Sequence, residues 1–169
     1  MVAFPPGKIN LGLQVLSRRS DGYHDLSTCF YPVPATDVLE IIASDEFRFE
    51  QTGILIPGVQ ADNLCVKAYR ILQEQHELPP VHIHLHKVIP TGAGLGGGSS
   101  DAAYTLRLLN NQFSLNLSAD DLMGFAAHLG SDCAFFCQDN AMMGTGRGEI
   151  LSPAPVSLKG YFLLLIKPP

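Results

Sequence analysis

Pro90-Thr91-Gly92-Ala93-Gly94-Leu95-Gly96-Gly97-Gly98-Ser99-Ser100-Asp101-Ala102-Ala103 decides how the rest of this chain is read. Five of the seven positions from Gly92 to Gly98 are glycine. Without a Cβ the chain can turn at positive φ and bring its N–H groups close to a ligand. A helix-forming run follows, with Ser99, Ser100 or Asp101 expected as its cap and Ala102–Asn111 as its body. The first-turn N–H groups of such a helix have no internal partner, and the helix dipole adds partial positive charge. A glycine loop that runs into a helix start is therefore a place for phosphate. A flexible linker is the competing reading. It is disfavoured because the glycines lie between a strand-like run and a helical one, not between domains.

Three kinds of phosphate loop compete for this stretch. Gly92 to Gly97 satisfies G-x-G-x-x-G, so a dinucleotide-binding oxidoreductase is the alternative. That fold wants an acid about 20 residues on, after a second strand. Residues 104–117 read instead as helix and turn, and Asp120 and Asp121 look like the start of another helix. A Walker A loop fits poorly, since no Gly-Lys-Ser/Thr closes the run. The third kind has the pattern Pro-x-Gly-x-Gly-Leu-Gly followed by Ser-Ser-x-Ala-Ala.

Composition narrows the setting. The 169 residues are 46% hydrophobic and 16% charged, which reads as one folded domain. A net charge of −5 argues against a broad surface for nucleic acid or anionic lipid. A phosphorylated ligand must then be held by local N–H groups and a few cations. Residues 1–6 lack a secretion-signal pattern, and no run is apolar for long enough to span a membrane. The expectation is a soluble cytoplasmic protein. Cys29, Cys65, Cys133 and Cys137 form no Cys-x-x-Cys pair and read as reduced thiols. Cys133, Cys137 and His128 lack the spacing and fourth ligand of a metal site.

Working outward, residues 8–17 alternate as a strand, with Ile9, Leu11, Leu13 and Val15 on one face and Lys8 and Asn10 on the other. Arg18-Arg19-Ser20-Asp21-Gly22-Tyr23-His24 is a polar turn centred on Asp-Gly. Strands are expected at 26–33, 38–42 and 46–51. Asp62-Asn63-Leu64 opens a helix to about His76, which Leu78-Pro79-Pro80 stops. Val81 to His86 alternates as a strand with His82, His84 and His86 on its solvated face. Ser118 to Asp121 caps a helix ending at Leu129-Gly130. Asp132 follows between that helix end and an apolar run. A hairpin is expected over 141–151, and the apolar 161–166 reads as a central strand. The whole is a mixed α/β or α+β domain of roughly four to eight strands and three to four helices.

Phosphoryl transfer needs a held donor, neutralised charge and an oriented acceptor hydroxyl. The loop, Lys8 and Asp132 are the candidates, although Asp132 serves equally well as a cap or ion-pair partner.

The loop pattern resembles that of the GHMP kinases. Its longer form, Gly94-Leu95-Gly96-Gly97-Gly98-Ser99-Ser100-Asp101-Ala102-Ala103, is similar to the branch acting on 4-diphosphocytidyl-2-C-methyl-D-erythritol in non-mevalonate isoprenoid synthesis. Three more motifs resemble that branch in the same order. They are Pro6-Gly7-Lys8-Ile9-Asn10-Leu11, the run from Arg18 to His24, and Leu129-Gly130-Ser131-Asp132-Cys133-Ala134-Phe135-Phe136. Gly7, Ser131, Cys133 and Ala134 depart from the branch pattern.

The resemblance implies the GHMP N-terminal fold, similar to domain 2 of ribosomal protein S5, and an ATP-dependent kinase for the 2-hydroxyl of that cytidine diphosphate-linked methylerythritol. It implies Asp132 as general base, with Lys8 beside it stabilising developing charge. It places Asn10 near the transferred phosphoryl group, Tyr23 stacked on cytosine and His24 bonded to that base. Pro90 and the residues from Gly92 to Ser100 (Gly92, Ala93, Gly94, Leu95, Gly96, Gly97, Gly98, Ser99, Ser100) would hold ATP. Ser99 or Ser100 would lie near Mg²⁺, and Asn63 and Lys87 near adenine. Family members are longer and carry a C-terminal domain with no counterpart here, so residues 1–169 are expected to be the N-terminal, ATP-binding domain, a truncated form of doubtful activity. A non-catalytic RNA-binding module, suggested by the S5-like fold, is a third possibility that the charge disfavours.

Overall fold

The computed structural model describes residues 1–166. Two four-stranded sheets carry the chain. Its strands are β1 (Val2–Ala3), β2 (Pro6–Arg18), β3 (His24–Thr36), β4 (Val38–Ala43), β5 (Arg48–Gly53), β6 (Val81–Lys87), β7 (Met142–Thr145) and β8 (Ile150–Pro153). The helices are α1 (Leu64–His76), α2 (Gly97–Gln112) and α3 (Ala119–Leu129). One sheet has the order β1-β4-β6-β5, with β5 parallel to β6. The other has the order β2-β3-β7-β8 and is antiparallel throughout.

The first sheet builds the main core. Alternation along β6 buries Val81, Ile83 and Leu85 against Cys65, Tyr69 and Leu72 of α1 and Leu106 and Leu109 of α2. The three histidines point the other way. Thr52 Oγ1 bonds His84 Nε2 and His86 Nδ1, each at 2.9 Å, and His82 lies 3.7 Å from Glu50. A smaller cluster of Phe30, Ala103, Phe135, Phe136 and Met142 joins the second sheet to α2. Helix α2 is thus shared by both cores, and its start is held from two sides.

The helix signals act where expected at α1 and α3. Asn63 accepts from Cys65 N to cap α1, and Glu77 in the left-handed region ends it. Ser118 and Asp121 form a reciprocal capping box on α3.

Three expectations are corrected. Helix α2 begins at Gly97 rather than near Ala102, and its N-cap is Gly96 with no side-chain cap. Ser99, Ser100 and Asp101 are therefore inside the helix, because the glycine loop itself makes the turn. The single apolar face of β2 fails beyond Leu11. Gly12 has φ +71° and the register slips between Leu11 and Leu13; beyond it both faces of the strand are exposed, Leu13 and Val15 included, while Lys8, on the face read as polar, is buried. The run 161–166 forms no strand, and Phe162 is fully exposed. Apolar, β-prone composition says that a run fits a sheet, not that a partner edge is available. Its residues line a cleft with Tyr31–Ala35 instead.

Candidate active site

Gly92, Gly94 and Gly96 take φ of +72°, +74° and +68°, so alternate residues of the loop sit in the left-handed region. The result is a cradle of about 250 Å³, lined by Pro90 through Ser99 with Leu64 and Lys87 beneath. Helix α2 starts at its wall, and the first N–H groups of the helix have no helical partner there. At Gly96 an added Cβ would come 3.0 Å from the Phe136 ring and 3.2 Å from Lys8 Cγ. The loop therefore rests directly on the lysine stem and on a buried aromatic ring.

Lys8 joins the cradle to the second sheet. Its backbone N–H donates to Leu95 O at 2.8 Å. Its ammonium donates to Asn10 Oδ1 at 2.7 Å, lies 3.4 Å from Asp132 Oδ2, and sits 5.1 Å from the centre of the Phe30 ring. Asn10 is held in turn by Thr28 Oγ1 at 2.8 Å, which donates to Gly12 O at 2.7 Å. Lys8 is nearly covered, while Asp132 keeps a third of its side chain open. A carboxylate that is open on one side and steadied by an ammonium on the other can accept a proton from a hydroxyl that meets it.

The remaining candidates divide. Ser99 lines the cradle. Ser100 is fully buried, with its hydroxyl unpartnered, and does not border the cradle. Asn63 lines a neighbouring cavity of about 240 Å³ with Phe49, Ile56 and Val59. Lys87 forms the cradle floor, but its ammonium is committed to Asp37 Oδ2 at 2.5 Å and Asp101 Oδ2 at 2.9 Å. Tyr23 and His24 stand at the far end of the β2–β3 hairpin, apart from the Lys8 cluster. Lys8 pairs with Pro32 and Arg18 with His24, so the two groups are separated along β3 by a contour of roughly 26 Å before bending. Tyr23 is exposed, with the Arg147 guanidinium 5.0 Å from its ring centre. Leu26 N donates to Gly146 O at 2.7 Å and brings that arginine's turn onto the hairpin.

Sequence reading missed Arg147, Asp37 and the partners of Asp101. Arg147 lies in a glycine-rich turn that read only as a hairpin, and nothing local marks it. Asp37 lies 50 residues from Lys87 in sequence, and no spacing rule joins them.

The four cysteines are free, and burial raises each thiol above its ordinary value, Cys133 to about 11 and Cys137 to about 12. They are poor nucleophiles and poor metal ligands in that state. Among the described residues no group of three or more histidines, cysteines and carboxylates is arranged to hold a metal. A divalent cation brought by a triphosphate needs only one or two protein oxygens. The Ser99 hydroxyl at the cradle wall fits that need, and the buried Ser100 hydroxyl does not.

The polypeptide after α2 goes to α3 and not to a strand, so the glycine loop is not the first turn of a βαβ dinucleotide unit. Comparison with known proteins agrees. Residues 63–140 match the family profile described as GHMP kinases N terminal domain. A crystal structure of 4-(cytidine 5'-diphospho)-2C-methyl-D-erythritol kinase superposes on 93% of this chain with a TM-score of 0.80 at 36% identity, using 56% of its own length. The fold is that of the GHMP-kinase N-terminal domain. A mevalonate kinase shares the GHMP fold at a TM-score of 0.68 and 13% identity, over 91% of this chain and 56% of its own. In sequence the chain is similar to proteins named 4-diphosphocytidyl-2-C-methyl-D-erythritol kinase from Cytophaga hutchinsonii (53% identity) and Bacteroides thetaiotaomicron (55% identity). Each alignment takes in 99% of this chain and 63% of the relative, so the chain spans less than two thirds of their length. No helix among the described residues is long and apolar enough to cross a membrane.

Proposed function

We propose that residues 1–169 form the nucleotide-binding domain of an ATP-dependent kinase that phosphorylates the 2-hydroxyl of 4-diphosphocytidyl-2-C-methyl-D-erythritol, acting in the cytoplasm. The observation that carries this reading is the Lys8–Asp132 pair, which the bond from Lys8 N to Leu95 O ties to the glycine loop. A phosphoryl donor in the cradle and a base beside the lysine that the loop is bonded to would serve one transfer.

The triphosphate lies along Gly92–Ser99, with its oxygens at the first N–H groups of α2. Ser99 offers a hydroxyl to the accompanying Mg²⁺, which when bound neutralises part of the triphosphate charge. Asp132 accepts the proton of the acceptor hydroxyl as that oxygen attacks the γ-phosphorus and the bond to the β-phosphate oxygen breaks. Lys8, fixed by Asn10 and by the loop, stabilises charge on the transferring oxygens. Tyr23 presents an open ring face for cytosine, backed by Arg147, and His24 stands beside it for the base edge. Asn63 and its cavity lie on the adenine side.

The experiment is a coupled assay of ATP consumption by the intact protein. Turnover that requires 4-diphosphocytidyl-2-C-methyl-D-erythritol, with one ADP formed per phosphorylated product, supports the reading. Tight NAD binding without ATP binding contradicts it.

A further inference from the structure

A lysine and two aspartates lie beneath the cradle with almost no access to water. Asp37, Lys87 and Asp101 are 0%, 2% and 1% exposed. Lys87 donates to one oxygen of each carboxylate, at 2.5 and 2.9 Å. The second oxygen of Asp37 accepts from Val88 N at 2.6 Å and from Ile89 N at 2.8 Å. The second oxygen of Asp101 has no partner.

Burying three ionisable groups is expensive, and hydrophobic residues of the same volume often stabilise a core as well or better. The position of these three suggests what they contribute instead. Each belongs to a different part of the cradle's support. Asp37 follows β3 and donates its own N–H to Pro5 O at 3.0 Å, just before the strand that carries Lys8. Lys87 ends β6, where the chain turns into the glycine loop. Asp101 lies in the second turn of α2. The lysine is boxed tightly. An added Cβ at Gly97 would come 3.0 Å from its ammonium, and one at Gly53 would come 2.2 Å from its carbonyl oxygen. The first residue of α2 therefore rests on the ammonium itself.

We propose that Asp37, Lys87 and Asp101 are positioning residues, a buried ionic brace that fixes the first turn of α2 against the exit of β6 and the entry of β2 and so holds the cradle in its phosphate-binding shape. The proposal rests on the kinase reading above for what the cradle holds. It gives Lys87 a task other than contact with the nucleotide, because both its partners are carboxylates and its ammonium has little freedom to turn outward. Neither Asp37 nor Asp101 borders the cradle. Burial pushes Asp101 up to about 7, partly offset by Lys87. A proton on its unpaired oxygen would leave one positive and one negative charge in the brace.

The test compares Mg-ATP affinity in the intact protein for wild type, Lys87→Met, Asp37→Asn, Asp101→Ala and Asp101→Asn, with amide exchange followed in the first turn of α2. Asp37→Asn keeps an acceptor for Val88 and Ile89 but turns an amide toward Lys87. Asp101→Asn keeps an acceptor for Lys87. The brace predicts that Lys87→Met, Asp37→Asn and Asp101→Ala each weaken ATP on the order of tenfold, the effect of losing one hydrogen bond to a charged group. It predicts that first-turn exchange speeds by a similar factor, that the KM for the acceptor is unmoved, and that Asp101→Asn restores most of the loss. Loss of ATP affinity in Lys87→Met with none in Asp37→Asn would make Lys87 a direct contact and overturn the brace. So would lower melting temperatures with unchanged ATP affinity and exchange. If Asp37→Asn does not fold, the contrast between Asp101→Ala and Asp101→Asn carries the same decision. Wild-type protein that binds no ATP, yet exchanges faster in the variants, refutes the kinase reading and leaves the brace standing.

Discussion

The Lys8 ammonium stands 3.4 Å from the Asp132 carboxylate, while the backbone N–H of the same lysine is bonded to Leu95 of the glycine loop. One residue thus reaches Asp132 with its side chain and the glycine loop with its main chain. Lys8→Met keeps the stem that Gly96 packs on and removes only the charge. The expected result is a fall in kcat on the order of 10²-fold with ATP affinity preserved, the scale of losing one preorganised donor to transition-state charge. Steady-state kinetics beside direct ATP titration make the check.

Two glycines of the loop should respond differently to alanine. Gly92 and Gly96 both have positive φ, which costs an ordinary residue about 1–2 kcal/mol. An added methyl at Gly92 meets open space, whereas at Gly96 it meets Phe136 and Lys8. Phe136 is 1% exposed and cannot step aside, so overpacking adds a further cost on the order of 1–3 kcal/mol. Thermal melting should show Gly96→Ala falling at least about twice as far as Gly92→Ala. Equal shifts would mean that the loop does not rest on the ring.

Asp101 gives stability a pH dependence of definite sign. Its carboxyl is pushed up to about 7 by burial, from an ordinary value of 3.8, with Lys87 opposing. Between those values the folded chain holds a proton that the unfolded chain has lost, so this group's contribution falls as pH rises from about 4 to about 7 and is level above. Burial alone would lower Lys87, but Asp101 and Asp37 hold it above its ordinary 10.5, so its own contribution changes only in strongly alkaline solution. Urea unfolding across pH 4–8 should show the Asp101 slope in wild type, on the order of a few kcal/mol in total. Asp101→Asn should flatten it. A slope that survives in the variant assigns the dependence elsewhere.

Tyr23 tests the acceptor end. Its ring is exposed and steadied by Arg147, away from the Lys8 cluster. Stacking of one base on an aromatic ring is worth about 1–3 kcal/mol. Tyr23→Ala should therefore raise the KM for the cytidine-linked acceptor by roughly 5- to 150-fold and leave ATP affinity alone. An unchanged KM would remove Tyr23 from recognition of the base.

Local chemistry made part of this molecule readable in advance. The loop-to-helix transition follows from glycine spacing, α3 from the Ser118–Asp121 capping pair, and the buried face of β6 from strict alternation. The pairing of Lys8 with Asp132 rested on resemblance, because no spacing rule links a first long strand to the turn after a third helix. The Asp37–Lys87–Asp101 brace was invisible for the same reason. Nothing local marks Asp37, and Asp101 reads as a helix cap, until the fold brings both to one lysine. Gly12 hid a register slip inside an apparently regular strand. The apolar run at 161–166 read as a strand because composition reports what side chains would bury, not which edge lies beside them.

The central claim is that Asp132 takes the acceptor proton beside the lysine to which the glycine loop is bonded. The most direct measurement is single-turnover phosphoryl transfer by Asp132→Asn in the intact protein, with Mg-ATP affinity titrated alongside. The account predicts transfer slowed by about 10²- to 10⁴-fold at unchanged ATP affinity. Transfer at the wild-type rate would contradict it.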